Sequence, residues 1–198
     1  MATVRDIDFL LYNRAAGSEP DAALTEEHWS YMDQFADGMV ARGPTLAADR
    51  VTWTGSLHIV ALRSADAARE FVEREPYNRA SLFHDHVIRR FKNMLGRTMW
   101  DFPHESVEPR FVVIAHLVAP TGEHPTVAPR ARLHDSAARA SDRLWRAVHP
   151  QRSSASRVVL ALQAPTREAI GAILRDGFAG RKKCFDIEIH DWEFGGRR

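Results

Sequence analysis

The sequence predicts an α+β chain built from two tandem ferredoxin-like βαββαβ units that press their sheets together. Three observations predict it. Apolar runs of strand length alternate with segments of helical periodicity over residues 6–91. The same plan restarts at residue 110, after the connector "KNMLGRTMWDFPHESVEP" (92–109). One spacing also repeats: His28 stands 15 and 16 residues before Gly43-Pro44, and His134 stands 15 and 16 residues before His149-Pro150. A chain of 198 residues is long enough for two such units of about 100 residues each.

In the first half, "DIDFLLYN" (6–13) is a short apolar run ending in turn residues, as in a buried strand. Thr25 is the expected N-cap of the next element, a helix, with Leu24 placed to pack on Trp29. His28, Met32, Phe35 and Met39 follow at helical spacing, and Gly43-Pro44 is the expected stop, with a strand at 44–48. "WTGSLHIVAL" (53–62) reads as a strand, "SADAAREFVERE" (64–75) as a helix capped by Ser64, and "HDHVIRRF" (84–91) as the last strand. This order is the split βαβ unit, with helices on one sheet face and the other face apolar and open. Two such open faces in one chain can cover each other, since burial of apolar surface gains about 25 cal/mol per Å2.

The second half reads as strand 110–119, helix 134–148, strand 156–164, helix 166–178 and strand 184–194. Its hairpin "QRSSAS" (151–156) is short, and its loop "PTGEHPTVAPRAR" (120–132) is long and proline-rich, so it reads as a degenerate copy. The expected domains are 1–98, carrying the site, a linker at 99–109, and the repeat at 110–198.

Composition limits the function classes. The net charge is +1, too small for a nucleic-acid partner by field alone, although 24 of the 27 basic residues are arginine. The amino terminus lacks a signal-peptide pattern and no apolar run is long enough to span a membrane, so a cytoplasmic location is expected. Cys184 is the single cysteine and reads as a small buried hydrophobe. No Gly-rich phosphate loop or dinucleotide fingerprint occurs, and no cofactor is expected. His84 and His86 in "HDH" would share one side of a strand, but no third ligand has a recognisable spacing. The pair therefore reads as a polar strand edge and no metal is expected.

His28 is the first candidate for chemistry. It lies on the apolar stripe of its helix, three residues after the expected cap, where partial burial and the positive helix end favour a neutral imidazole. Spacing alone allows either a general base or a core histidine bonded to a backbone carbonyl.

Four stretches give the first half a wider resemblance: "EEHWSYMDQFADGMVARGPTL" (26–46), "TGSLHIV" (54–60), "SADAAREFVEREPYNRASLF" (64–83) and "HVIRRF" (86–91). In this order and spacing they resemble the YCII-related family, small proteins of the dimeric ferredoxin-like α/β barrel fold. The resemblance implies a pseudo-dimeric barrel for the tandem chain. It also implies a histidine on the first helix and an aspartate before Pro-Tyr that meet as a His-carboxylate pair. The matching positions are His28 and Glu75, glutamate standing where the family pattern has aspartate. Ser56 and Tyr77 are then candidates to donate hydroxyls to a substrate, and Gly43 and Pro44 to border it. Trp53, Phe83 and Phe35 are candidate pocket walls, with core packing as the alternative.

The implied activity is a cofactor-free lyase or isomerase, of dehydrochlorinase kind in part of the family, moving protons on a cyclic or hydroxylated aromatic substrate. The alternatives are a non-catalytic binding or structural protein and a cofactor-free monooxygenase of the related barrel type. His134 and Asp176 are the approximate counterparts of His28 and Glu75 in the second half and read as a vestigial site. The expected partner is a small molecule, with the chain an intrachain pseudo-dimer and a further homodimer left open.

Overall fold

The structure, a computed structural model, describes residues 6–93, 96–101, 108–117, 145–148, 157–177 and 185–195. These divide into two units. One holds residues 6–92, 97–101 and 192–195, the other residues 93, 96, 108–117, 145–148, 157–177 and 185–191.

The first unit starts with strand β1 (Ile7–Ala15). Helix α1 (Ala22–Asp33) is capped by Asp21, whose Oδ1 accepts the Leu24 N–H at 2.8 Å. The cap expected at Thr25 is thus one turn too late. Asp and Thr both cap well, and Thr25, inside the helix, donates its hydroxyl to Asp21 O at 2.8 Å instead. Leu24 packs beside Tyr77, Leu82 and Phe83, not on Trp29, which is 36% exposed.

Helix α1 also ends earlier than its apolar stripe suggests. A 3-10 turn at Ala36–Gly38 closes it, and Met39 opens strand β2 (Met39–Leu46). Gly43 and Pro44 therefore lie within a strand and do not terminate the helix. Their use is different. A Cβ on Gly43 would stand 1.8 Å from Glu193 O, so only glycine admits that backbone. Glu193 donates its N–H to Pro44 O at 3.3 Å, and Gly195 donates to Arg42 O at 3.0 Å. Pro44 has no N–H to donate, and its contact to the 193–195 segment uses its carbonyl instead.

Strand β3 (Trp53–Leu62) leads into helix α2 (Ala65–Arg74), capped by Ser64 as expected, its Oγ accepting the Ala67 N–H at 3.1 Å. A short helix α3 (Pro76–Arg79) and strand β4 (Phe83–Arg90) complete the unit. The four strands are antiparallel in the order β4-β1-β3-β2. Phe9, Leu11, Val60 and Leu62 point to the helices and bury with Met32, Phe71 and Val72. Tyr31 donates its hydroxyl to Phe71 O at 2.9 Å, tying α1 to α2. On the opposite face Leu10, Tyr12, Leu57 and Ile59 are buried as well.

The second unit contains β5 (Arg110–Leu117), β6 (Trp145–Val148), β7 (Arg157–Gln163), helix α4 (Arg167–Gly177) and β8 (Phe185–Trp192). Its order, β8-β5-β7-β6, repeats the pattern of the first unit. Residues 145–148 were expected at the end of a helix and are the missing strand of the hairpin. The reason is the one that shortened α1: an apolar strand continues the preceding stripe without a break in sequence. The remainder of the expected helix, with His134, and the loop 120–132, His149-Pro150 and Cys184 lie outside the described residues. Asp176 falls in the last turn of α4. Phe111, Val113, Leu160 and Leu162 bury against Ile170 and Leu174 of that helix. Among the described residues no helix is long and apolar enough to cross a membrane.

Candidate active site

Helix α2 ends at Arg74, and Pro76 starts α3 with a ring that needs no N–H donor at that position. Glu75 is the residue between them. A carboxylate at the end of α2 is disfavoured by that helix's dipole, but Glu75 is also the N-cap of α3. Its Oε2 accepts the Asn78 N–H at 2.8 Å. Its Oε1 is hydrogen-bonded to Nδ1 of His28 across 47 residues of sequence. Glu75 is fully buried and His28 is 8% exposed, so the contact is largely shielded from water. A carboxylate only accepts, so Nδ1 carries the proton and Nε2 is left as the ring's basic nitrogen.

Tyr77 lies flat on the imidazole, with ring centroids 4.1 Å apart and planes 7° from parallel. Its hydroxyl donates to Thr25 Oγ1 at 3.3 Å. Burial raises the Tyr77 phenol, against the Thr25 hydrogen bond, so it remains a donor at neutral pH. The phenol of Tyr31 is pushed up to about 12 by burial and by the negative charge of Glu75. Because α1 begins at Ala22, His28 is its seventh residue, beyond the first turn in which the helix dipole acts. Its orientation comes from Glu75 and Tyr77.

His28 borders a cavity of about 510 Å3 within this unit. Tyr77, Ser56, Gly43 and Pro44 border it too, so all four expected binding positions line the same cavity as the histidine. Trp53 is also in the wall, whereas Phe83 packs behind it and Phe35 lies in the core against Tyr31 and Phe71. His84 and His86 do not join the cavity. Nδ1 of His84 bonds Ala15 O at 2.8 Å, and Nδ1 of His86 bonds Asn13 Oδ1 at 3.1 Å.

Arg42 and His58 also line the cavity and went unread in the sequence. They are cross-strand neighbours in the β2–β3 register, and Ser56 precedes His58 by one strand period on the helix-covered face. That alternation, Ser56 and His58 in an otherwise apolar strand, was the available signal. Arg42 donates from Nε to Gly195 O at 3.2 Å and from both terminal nitrogens to Asp33 Oδ1 at 3.3 Å. His58 is completely buried, and burial, then His28, then Arg42 hold it well below the usual imidazole range.

This histidine sets a pH dependence. A group depressed in the folded state is protonated first in the unfolded one, so its contribution is intact above about pH 6.5 and is lost as pH falls below it. The urea midpoint should therefore fall between about pH 7.5 and about pH 5, and His58→Leu should reduce that fall. An equal fall in the variant would show that other groups set the acid limb.

Residues 8–92 match the family model of the YCII-related domain. Over that stretch the first unit is similar to the YCII-related domain. The 5-chloro-2-hydroxyhydroquinone dehydrochlorinase of Burkholderia phenoliruptrix AC1100, solved with 2,5-dihydroxybenzoquinone, is 27% identical, matching 46% of this chain and 99% of its own at a TM-score of 0.38. A Fusobacterium nucleatum protein described as a monooxygenase matches 96% of this chain and 93% of its own, at 9% identity and a TM-score of 0.56. An anthrone oxidase-like protein matches 98% of this chain and 92% of its own, at 10% identity and a TM-score of 0.53. At such identities the likeness is one of fold. It extends beyond residues 8–92 to nearly the whole chain and bears out a mixed α+β, ferredoxin-like fold. No curated protein matches the chain.

Proposed function

We propose that the YCII-related unit is an acid–base enzyme of the lyase or isomerase type, acting on a cyclic or hydroxylated aromatic small molecule. The observation that carries this reading is the His28–Glu75 hydrogen bond, buried on the Glu75 side and opening to a cavity on the His28 side. A histidine kept only for packing has no need of a buried carboxylate partner, because burying a charge is costly unless it is paired.

In the proposed reaction Nε2 of His28 removes a proton from a substrate carbon or hydroxyl. The electron pair left behind moves into the ring. It then expels a leaving group from the neighbouring carbon, which is elimination, or takes the same proton back one position along, which is isomerisation. Glu75 fixes the tautomer that makes Nε2 basic and stabilises the imidazolium while it exists. Tyr77 holds the imidazole plane, and Ser56 offers a hydroxyl from the cavity wall.

The test is turnover of a panel of halogenated and hydroxylated ring compounds by the full chain. Product formation that depends on His28 supports the reading. Binding without turnover across the panel supports a ligand-binding module, and His28-dependent oxygen uptake supports a monooxygenase.

A further inference from the structure

The floor of the cavity is more polar than packing requires. β3 places Ser56 and His58 under α1, and β2 sets Arg42 directly beside His58. His58 is fully buried, yet its Nδ1 has no hydrogen-bond partner among the described residues. An orphaned polar atom in a buried position lowers stability, so its presence in a cavity wall calls for an occupant that satisfies it. An apolar residue would pack there at no such cost.

We propose that His58 and Arg42 form an oxyanion-binding subsite, selecting ligands with an ionised planar oxygen group, a carboxylate or a phenolate, over their neutral counterparts. The assignment deepens the acid–base reading and rests on it for catalytic meaning, while the binding preference itself is measurable without turnover. Arg42 carries a permanent charge beside His58, shared with Asp33, and burial above all keeps His58 itself neutral. An imidazole N–H and a guanidinium can both donate to the oxygens of an anion, which a neutral ligand matches less well. Glu19, the acidic residue of the lining, is exposed, so solvent screens it. The body of the ligand has an apolar place as well. Trp29 and Val51, 36% and 77% exposed, are the large exposed hydrophobics among the described residues, and both border this cavity.

Calorimetry with the full chain tests the subsite. The probes are 2-naphthoate against 2-naphthamide and 4-nitrophenolate against 4-nitroanisole, at a pH where both acids are ionised. The expected result is that at least one anion binds roughly tenfold or more tightly than its neutral counterpart. The pair that shows the preference identifies carboxylate or phenolate as the chemistry recognised. His58→Leu should abolish the preference without lowering the melting temperature, because it removes an unsatisfied polar atom. His58→Phe serves if the leucine variant fails to fold. Arg42→Gln should abolish the preference too, while His28→Gln should retain it, which separates this subsite from the acid–base pair. No measurable binding of either anion, equal binding of charged and neutral probes, or a preference that survives in the folded His58 or Arg42 variants would overturn the proposal.

Discussion

Replacing His28 with alanine should lower kcat by roughly 100- to 10,000-fold on any compound the protein turns over, the usual contribution of a general acid or base. The alanine variant also leaves Glu75 fully buried without its partner and removes the ring beneath Tyr77. It should therefore lose stability, by roughly 1–3 kcal/mol from the unmade hydrogen bond alone. His28→Gln separates the two effects. Its amide can still donate to the carboxylate but cannot take a proton from substrate, so it should stay folded while losing as much activity as the alanine variant. Rates are compared after each variant's folded fraction is measured by urea titration. Near wild-type turnover in the folded glutamine variant would remove His28 from the chemistry.

Glu75→Gln should cost as much, for a different reason. The glutamine Oε1 can continue to accept the Asn78 N–H, preserving the cap of α3. Its amide nitrogen then faces Nδ1 of His28 and donates where the carboxylate accepted. Nδ1 becomes the acceptor, the ring proton moves to Nε2, and the basic nitrogen turned to the substrate is lost. A wrong tautomer of this kind in a Ser-His-Asp enzyme costs about 10,000-fold in kcat. A drop of roughly 100-fold or more, with the urea midpoint little changed, is the outcome expected for Glu75→Gln. Glu75→Asp should fall between the two. It keeps the charge, but one methylene less makes it difficult to hold His28 and cap Asn78 at once. A Glu75→Gln enzyme with normal kcat would reduce the carboxylate to a helix cap.

The features legible in the sequence were those set by local chemistry. Ser64 before an amphipathic run gave α2 its start, and the order of apolar runs gave the first unit its strand and helix sequence. His28 and Glu75 were legible together only through a motif, because nothing within 47 residues of chain shows that they touch. The failures share a cause. Met39 and Val40 extend the apolar stripe of α1 and equally suit a buried strand, so periodicity could not mark the change; Gly38 was the nearer stop signal. Trp145–Val148 repeats that ambiguity in the second unit. The roles of Gly43 and Pro44 depend on Glu193 and Gly195, some 150 residues away, and no local rule carries that information. Arg42 and His58 were missed for the same reason: their meeting is a matter of strand register.

The central claim is that His28 and Glu75 act as one acid–base unit. The most direct measurement is kcat for wild type, His28→Gln, Glu75→Gln and the double variant on one substrate. If the residues act together, the double variant should be no slower than the slower single variant, as expected for groups with a shared function. If the two losses multiply, each side chain works independently and the account is contradicted.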